Sequence, residues 1–172
     1  MLAVMLAVAA AGCGSGKDSG NGPRPSVAEA RQETQEHPKD PAAWMDLATA
    51  LRTKGQTNAA IPAAQRLLTL QPKDVDAHLR LAVLYLEQGN AYTAKSQPGK
   101  ARTSYNKAVD LYRRATVLVP KDQYTRIALG QAAEQAGDTA TAISAYAAFL
   151  RIAPTDPNAK NVRGWLKRLK GA

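Results

Sequence analysis

The sequence has few of the residues that carry most enzymatic and metal chemistry. Cysteine occurs once in 172 residues, at Cys13, so the chain cannot form an internal disulfide. Histidine occurs twice, at His37 and His78, and neither has a partner at metal-ligand spacing. There is no Gly-x-Ser-x-Gly nucleophile motif. The chain has one phenylalanine, two tryptophans and no strand pattern, so nothing indicates an enzyme core. We therefore predict a non-enzymatic protein without a cofactor or metal.

What the sequence does contain is a repeat, marked by the tripeptide Pro-Lys-Asp at three places and by a degenerate Pro-Thr-Asp at a fourth. These turns begin at Pro38, Pro72, Pro120 and Pro154. The first two prolines are 34 residues apart, and so are the last two. A fixed period of this size is typical of stacked supersecondary units that cannot bury their apolar faces alone. It favours binding over catalysis.

Between the prolines, each unit has a large residue, then leucine, then a small residue, and later a glycine. These residues are Trp44, Leu47, Ala48 and Gly55, then His78, Leu81, Ala82 and Gly89, then Arg126, Leu129, Gly130 and Gly137. Apolar residues three or four apart share one helical face. Glycine favours a turn after the first helix, and the aspartate of each Pro-Lys-Asp can cap the next helix. Each unit is therefore predicted to be a helix hairpin.

This pattern resembles the tetratricopeptide repeat. The resemblance implies an all-α solenoid over residues 26–172, with repeats at 38–72, 72–120 and 120–154. A lone helix over 26–37 and an amphipathic helix over 157–170 would cap the two ends.

Two features depart from a regular repeat. The second unit carries 14 extra residues between Gly89 and Ala108. We expect a single long helix over 100–119 that projects about two turns past its partner, with 90–99 as a loop or short helix. Pro62 lies inside the second helix of the first unit, which should begin late or kink because proline lacks a backbone donor.

Members of the resembled family typically bind a peptide in a concave groove lined by the first helix of each hairpin. The positions carried over are Met45, Thr49, Arg52, Leu79, Val83, Leu86, Tyr124, Ile127 and Gln131. The centre of this groove is apolar in sequence and would accept an apolar helix face or an extended segment. Its occupant could also be the N-terminal helix or a second copy of the chain, or Leu79 and Val83 could only pack the hairpins.

The first twelve residues are uncharged and end in small residues before Cys13, which resembles the lipobox of bacterial lipoproteins. This implies a signal peptide over 1–12, a lipidated Cys13 and a polar tether to residue 25. The protein would be exported and anchored, in the periplasm or on the outer face of the cytoplasmic membrane. Two other interpretations are ordinary secretion with cleavage after Ala11 and an incidental apolar terminus.

The net charge of +9 is concentrated in two segments. Residues 91–114 contribute +5 and residues 155–172 contribute +4. The basic surface is predicted to include Lys100, Arg102, Lys107, Arg113, Arg114, Arg163, Lys167 and Lys170. Such a surface attracts polyanions. It could bind anionic lipid or wall polymer, bind an acidic protein, or only keep the domain soluble; nucleic acid is not expected for an exported protein.

Together these features predict a scaffold lipoprotein of the bacterial cell envelope that binds a protein or peptide partner in its groove. The alternative is a membrane-surface adaptor that binds anionic lipid or wall polymer through its basic helices. A third interpretation is an accessory domain of a larger enzyme.

Overall fold

The computed structural model describes residues 24–171, and over this range the chain forms eight helices and no strand. They are α1 (Val27–Glu36), α2 (Pro41–Thr53), α3 (Thr57–Leu70), α4 (Val75–Ala94), α5 (Pro98–Leu118), α6 (Gln123–Ala136), α7 (Thr139–Ile152) and α8 (Ala159–Gly171). Each helix packs against the next along the chain. The three predicted hairpins are α2/α3, α4/α5 and α6/α7, with α1 and α8 at the ends. The all-α solenoid is confirmed.

The Pro-Lys-Asp turns start the first helix of each hairpin. The carboxylates of Asp40, Asp74 and Asp122 accept hydrogen bonds from backbone N–H groups in the first turns of α2, α4 and α6, at 2.9, 3.1 and 2.8 Å. These bonds satisfy donors that have no partner within the helix. The predicted caps are confirmed.

The large residue near the start of each hairpin is held by a polar contact as well as by packing. Trp44 Nε1 donates to the carbonyl of Pro38 at 2.9 Å, and an Arg126 guanidinium nitrogen donates to the equivalent carbonyl of Pro120 at 2.7 Å. His78 is buried, with Nδ1 2.8 Å from the carbonyl of Asp74. The large residue thus ties its helix to the preceding turn, and His78 is a packing residue, as predicted.

The small residues are where helices come close together. Ala48 and Ala82 are buried. A Cβ atom on Gly130 would lie only 2.3 Å from Cε1 of Tyr146 on α7. Gly55 and Gly137 end their helices with φ of +71° and +78°, which glycine adopts without steric cost. The turn prediction is confirmed for these two.

The extra residues of the second hairpin lie elsewhere than predicted. The long helix is confirmed as α5, but α4 also continues through Gly89 to Ala94. The predicted turn at Gly89, the loop or short helix over 90–99 and the projection of the long helix past its partner are therefore wrong. Fourteen residues divided between two helices add seven residues, or about two turns, to each. The other side chains of both helices therefore keep the face that they would have without the extra residues. Both helices project together, and Gly89 is a close-approach position against Tyr105.

Two smaller expectations concern Pro62 and the terminal helices. Helix α3 begins at Thr57, so it does not begin late despite Pro62 in its interior. The terminal helices are confirmed: Val162 of α8 is fully buried and the Trp165 ring lies 5.4 Å from that of Tyr146. Among residues 24–171, no helix combines the length and apolarity that crossing a membrane requires.

Candidate binding groove and basic surface

The first helices of the first two hairpins, α2 and α4, line an open cavity of about 520 Å³. Pockets that bind small ligands or side chains are typically of this size. Its lining residues are Arg24, Ala48, Thr49, Arg52, Thr53, Asp76, Leu79, Arg80, Val83, Leu84 and Glu87. The most buried lining residues, Ala48 and Leu84, are apolar, whereas Arg52 and Asp76 are charged and exposed, so the site has an apolar floor and a charged rim.

Four of the nine predicted groove residues line this cavity: Thr49, Arg52, Leu79 and Val83. The other five do not. Met45 and Leu86 are partly buried on the same helices, and Ile127 of α6 packs against the core. Tyr124 is 59% exposed and Gln131 is exposed. A role for the α6 positions in binding stays a prediction.

The charged rim is built from ion pairs. Arg52 Nε donates to Glu87 Oε1 at 2.7 Å, which joins the end of α2 to α4. Arg80 pairs with Asp76 one turn earlier on α4 and reaches Thr49 Oγ1 at 3.4 Å. These pairs are solvent-accessible, so each contributes about 0–1 kcal/mol to stability. A ligand with its own charges can therefore replace them at small cost.

Sequence reasoning missed the rim residues Arg24, Asp76, Arg80 and Glu87. The groove prediction took only one residue per helical turn from the family pattern. The charged residues beside those positions were therefore not included. A usable signal existed for Glu87, which follows Arg52 by 35 residues, one repeat period plus one. Residues separated by one period occupy equivalent positions in adjacent hairpins.

Several of the predicted basic residues make contacts within the domain, but few of them form ion pairs. Lys107 lies over the Tyr85 ring at 5.0 Å and Lys100 over the Tyr92 ring at 5.7 Å. Arg113 pairs with Asp110, and Arg163 donates to the carbonyl of Pro154. Of the eight predicted basic-surface residues, seven are exposed with no ion pair among residues 24–171: Lys100, Arg102, Lys107, Arg114, Arg163, Lys167 and Lys170.

His37 has neighbours that its sequence spacing did not indicate. One ligand atom from each of Glu33, Glu36 and His37 lies within 4.8 Å of the others. His37 and Glu36 are exposed and Glu33 is half-buried, and His37 lies 3.8 Å from Glu33 as an i,i+4 pair. Exposed groups of this kind are common without an ion, so we assign no metal to them. Cys13 lies outside the described residues.

Two tyrosines have shifted pKa values for structural reasons. Burial raises the pKa of Tyr112. Burial raises the pKa of Tyr146 as well, aided by its hydrogen bond to Glu134 at 2.6 Å. Both hydroxyls therefore remain protonated at neutral pH, and that of Tyr146 donates its hydrogen bond to Glu134.

Comparison with known proteins agrees with the hairpin geometry. The family model of the tetratricopeptide repeat matches residues 45–94 and 86–157. The chain belongs to the tetratricopeptide repeat family. The two matches overlap at 86–94, the part of α4 where the extra residues begin. No curated protein matches the chain.

Solved structures of tetratricopeptide proteins share the fold. A crystal structure of MamA is 20% identical, with a TM-score of 0.63 over 84% of this chain and 77% of that one. TTC0263, a thermophilic tetratricopeptide protein of Thermus thermophilus, is 18% identical with a TM-score of 0.58, over 83% and 70%. The type III secretion translocator chaperone SycD of Yersinia enterocolitica is 18% identical with a TM-score of 0.54, over 81% and 85%. At these identities the likeness establishes the fold alone.

Proposed function

We propose that this protein is a non-enzymatic scaffold that binds a segment of another protein in the cavity between α2 and α4. The observation that supports this is the cavity of about 520 Å³ with an apolar floor and a charged rim. Membership of the tetratricopeptide family supports a protein partner, and one similar structure is described as a chaperone.

The lining defines the kind of segment that fits. Leu79 and Val83 are partly exposed and offer apolar surface for a bulky apolar side chain, while Arg52 and Glu87 offer a cation and an anion at the edge. An extended or helical segment with an apolar anchor and flanking charges of both signs matches this arrangement. Affinity would come mainly from the anchor, because rim charges contribute little to binding energy.

The same proposal includes attachment to a membrane through Cys13, because residues 1–13 resemble a lipoprotein signal. The protein would then act in the bacterial cell envelope, in the periplasm or on the outer face of the cytoplasmic membrane. Cys13→Ser should release the chain from the membrane fraction. If the variant still sediments with membranes after a high-salt wash, the anchor proposal is wrong.

The groove proposal is tested with two variants that carry the same substitution at different places. Val83 lines the cavity, whereas Val117 on α5 is 76% exposed outside it. Full-length tagged chain, Val83→Glu and Val117→Glu are each used to capture proteins from cell-envelope extract. We expect a partner that is lost with Val83→Glu and retained with Val117→Glu, after circular dichroism shows that both variants are folded. Identical capture by all three baits would overturn the proposal.

A further inference from the structure

Because successive helices run in opposite directions, the helix termini lie at two opposite ends of the domain, which are distinct from the terminal helices α1 and α8. These two ends carry different residues. At one end lie the turns inside the hairpins, α2–α3, α4–α5 and α6–α7. At the other lie the turns between hairpins, with Lys39, Lys73 and Lys121. Each of these lysines is exposed and is followed directly by the aspartate that caps the next helix. The Pro-Lys-Asp turns are therefore electrically balanced.

The hairpin α4/α5 projects beyond its neighbour at the first of these ends. Glu87 of α4 pairs with Arg52, one residue before α2 ends, and Gln88 donates to Asn58 in the first turn of α3. The remaining α4 residues, up to Ala94, therefore extend about 10 Å past α2 and α3.

Helix α5 extends by the same length. Ser104 donates to Gln88 at 2.8 Å, so residues 98–103 also lie past that level. On the other side, Arg113 contacts Asp138 and Thr141 at the α6–α7 turn. Ser104 precedes Arg113 by nine residues, about 13 Å along the helix. The tip of α4/α5, which consists of residues 89–103, thus extends beyond both neighbouring hairpins.

This projecting tip carries only positive charge. No aspartate or glutamate occurs over residues 88–109, whereas Lys95, Lys100 and Arg102 are all exposed at the tip. The contacts of Tyr105 with Asn90 and Thr93, at 2.9 and 3.0 Å, hold the two helices together there. The cations therefore sit on an ordered helical support.

Other cations reach the same end from other elements. Lys54 caps the end of α2 and is exposed. Arg168 of α8 pairs with Glu134, three residues before Gly137, so the C-terminal turn of α8, with Lys167 and Lys170, also lies here. We call Lys54, Lys95, Lys100, Arg102, Lys167 and Lys170 the basic end.

Four carboxylates at or near the basic end are already engaged, and one of them, Glu29 in the first turn of α1, accepts a hydrogen bond from the Ser26 backbone. Glu87 is bound to Arg52 and Glu134 to Arg168, while Asp138 caps α7. None of the six cations forms an ion pair among residues 24–171. The charge of the basic end is therefore available to an outside anion.

The chain also enters the domain at this end. Arg24 lines the same cavity as Arg52 and Thr53, at the end of α2. Cys13 precedes Arg24 by eleven residues, which reach at most about 40 Å when fully extended. If Cys13 is lipidated, as the proposed function holds, the membrane surface lies within that distance of the basic end.

We infer that the basic end rests on an anionic lipid surface, with the projecting α4/α5 tip as its main contact. Each lysine or arginine near an anionic bilayer strengthens binding by about fivefold, so three at the tip account for about 100-fold. This contact would orient the solenoid upright on the membrane, with the Pro-Lys-Asp turns facing away. It deepens the proposed function by specifying a second, non-protein partner.

The test uses full-length chain carrying Cys13→Ser, which cannot be lipidated, so that its outcome is independent of the anchor. Binding is measured by co-sedimentation with vesicles of phosphatidylcholine alone and with about 30 mol% phosphatidylglycerol, an anionic lipid. Two further variants change net charge equally at opposite ends. One adds Lys95→Glu, Lys100→Glu and Arg102→Glu, and the matched control adds Lys39→Glu, Lys73→Glu and Lys121→Glu.

We expect binding to the phosphatidylglycerol vesicles at low salt, a loss of about 100-fold or more for the tip variant, and a much smaller loss for the control. Equal losses would mean that net charge alone attracts the protein and would overturn the inference. So would equal binding of the parent chain to both vesicle types. Failure of the groove experiment would leave these outcomes unaffected.

Discussion

The hairpins α4/α5 and α6/α7 solve the same packing problem at different lengths. In α6/α7, Gly130 faces Tyr146; in α4/α5, Gly89 faces Tyr105, and a Cβ atom on either glycine would lie 2.3 Å from the tyrosine ring. Tyr146 and Tyr105 each stand seven residues after the start of their helix. The longer hairpin therefore repeats, next to its own turn, the contact that the shorter hairpin makes next to its turn.

What differs is what surrounds the pair. Tyr146 is fully buried, with Trp165 of α8 against its ring and Glu134 on its hydroxyl. Tyr105 is 7% exposed and its hydroxyl bonds to the tip residues Asn90 and Thr93. The same local contact thus belongs to the core in one hairpin and to a projection in the other.

The largest effect should come from removing the tyrosines. Tyr146→Ala leaves a cavity between three helices and should lower the free energy of unfolding by about 3–5 kcal/mol. Tyr105→Ala should cost clearly less, because the tip can relax without disturbing the neighbouring hairpins. Urea denaturation of both variants measures the difference. Equal losses would show that the tip is as much part of the core as α6/α7.

Adding a methyl group at Gly130 or Gly89, where two helices come close together, should have the next largest effect. Gly130→Ala and Gly89→Ala each gain about 1 kcal/mol of helix propensity but force a tyrosine ring to move, which typically costs about 1–3 kcal/mol. We expect Gly130→Ala to be destabilising, since Tyr146 has no room to shift. Gly89→Ala should be milder, and thermal unfolding compares the two. A more stable Gly130→Ala would contradict the close packing described here.

The comparison also explains how far the sequence could be interpreted. Hairpin number, caps and terminal helices followed from the repeat, because Asp40, Asp74 and Asp122 and the apolar spacing encode local structure. Gly89 was misassigned because it was counted from Pro72, where it aligns with the turn glycines. Counted from the turn, it aligns with Gly130. Spacing alone cannot distinguish a glycine that permits a turn from one that permits contact.

The candidate site was predictable only in part, for a related reason. Thr49 and Val83 lie one repeat period apart, at equivalent positions of α2 and α4, and Arg52 and Leu79 lie one turn from them on the same helices, so the repeat brings the four to one cavity. Arg24 precedes the repeats, and nothing periodic indicates that it reaches α2. The basic end depends on how far α4 and α5 project, which required the correct division of the extra residues.

Shortening the projection should have a smaller effect on stability. Deletion of residues 91–104 places Ala108 five residues after Gly89, the spacing between Gly55 and Ala60 and between Gly137 and Ala142. Within the deleted range only Ala101 and Ser104 are buried, so little core is lost. We expect a folded protein with a regular hairpin, by circular dichroism, whose loss of stability is below that of Gly130→Ala. An unfolded product would show that the tip is required for folding.

The smallest effect concerns how stability depends on acid pH, which should differ between the α6–α7 turn and the α4–α5 turn. Helix α7 begins with the carboxylate of Asp138, whose pKa is lowered by hydrogen bonds from the Thr141 side chain and backbone, whereas α5 begins after Gln97 with no side-chain cap. A lowered pKa in the folded state means that the stabilisation is fully present above the ordinary carboxyl pKa of about 3.9 and is lost as the pH falls through the folded value.

Asp138→Asn keeps a side-chain acceptor at this cap but removes the charge. At neutral pH the variant should melt slightly below the parent protein, by a fraction of the ~1 kcal/mol typical of a helix cap, because the Asp138 side chain is 38% exposed and partly screened by solvent. As the pH falls through the lowered pKa of Asp138 in the folded state, the two melting temperatures should converge. A difference in melting temperature that persists unchanged into acid would mean that Asp138 acts through packing rather than through its charge. The α4–α5 and α6–α7 turns would then differ only in the length of the hairpins they join.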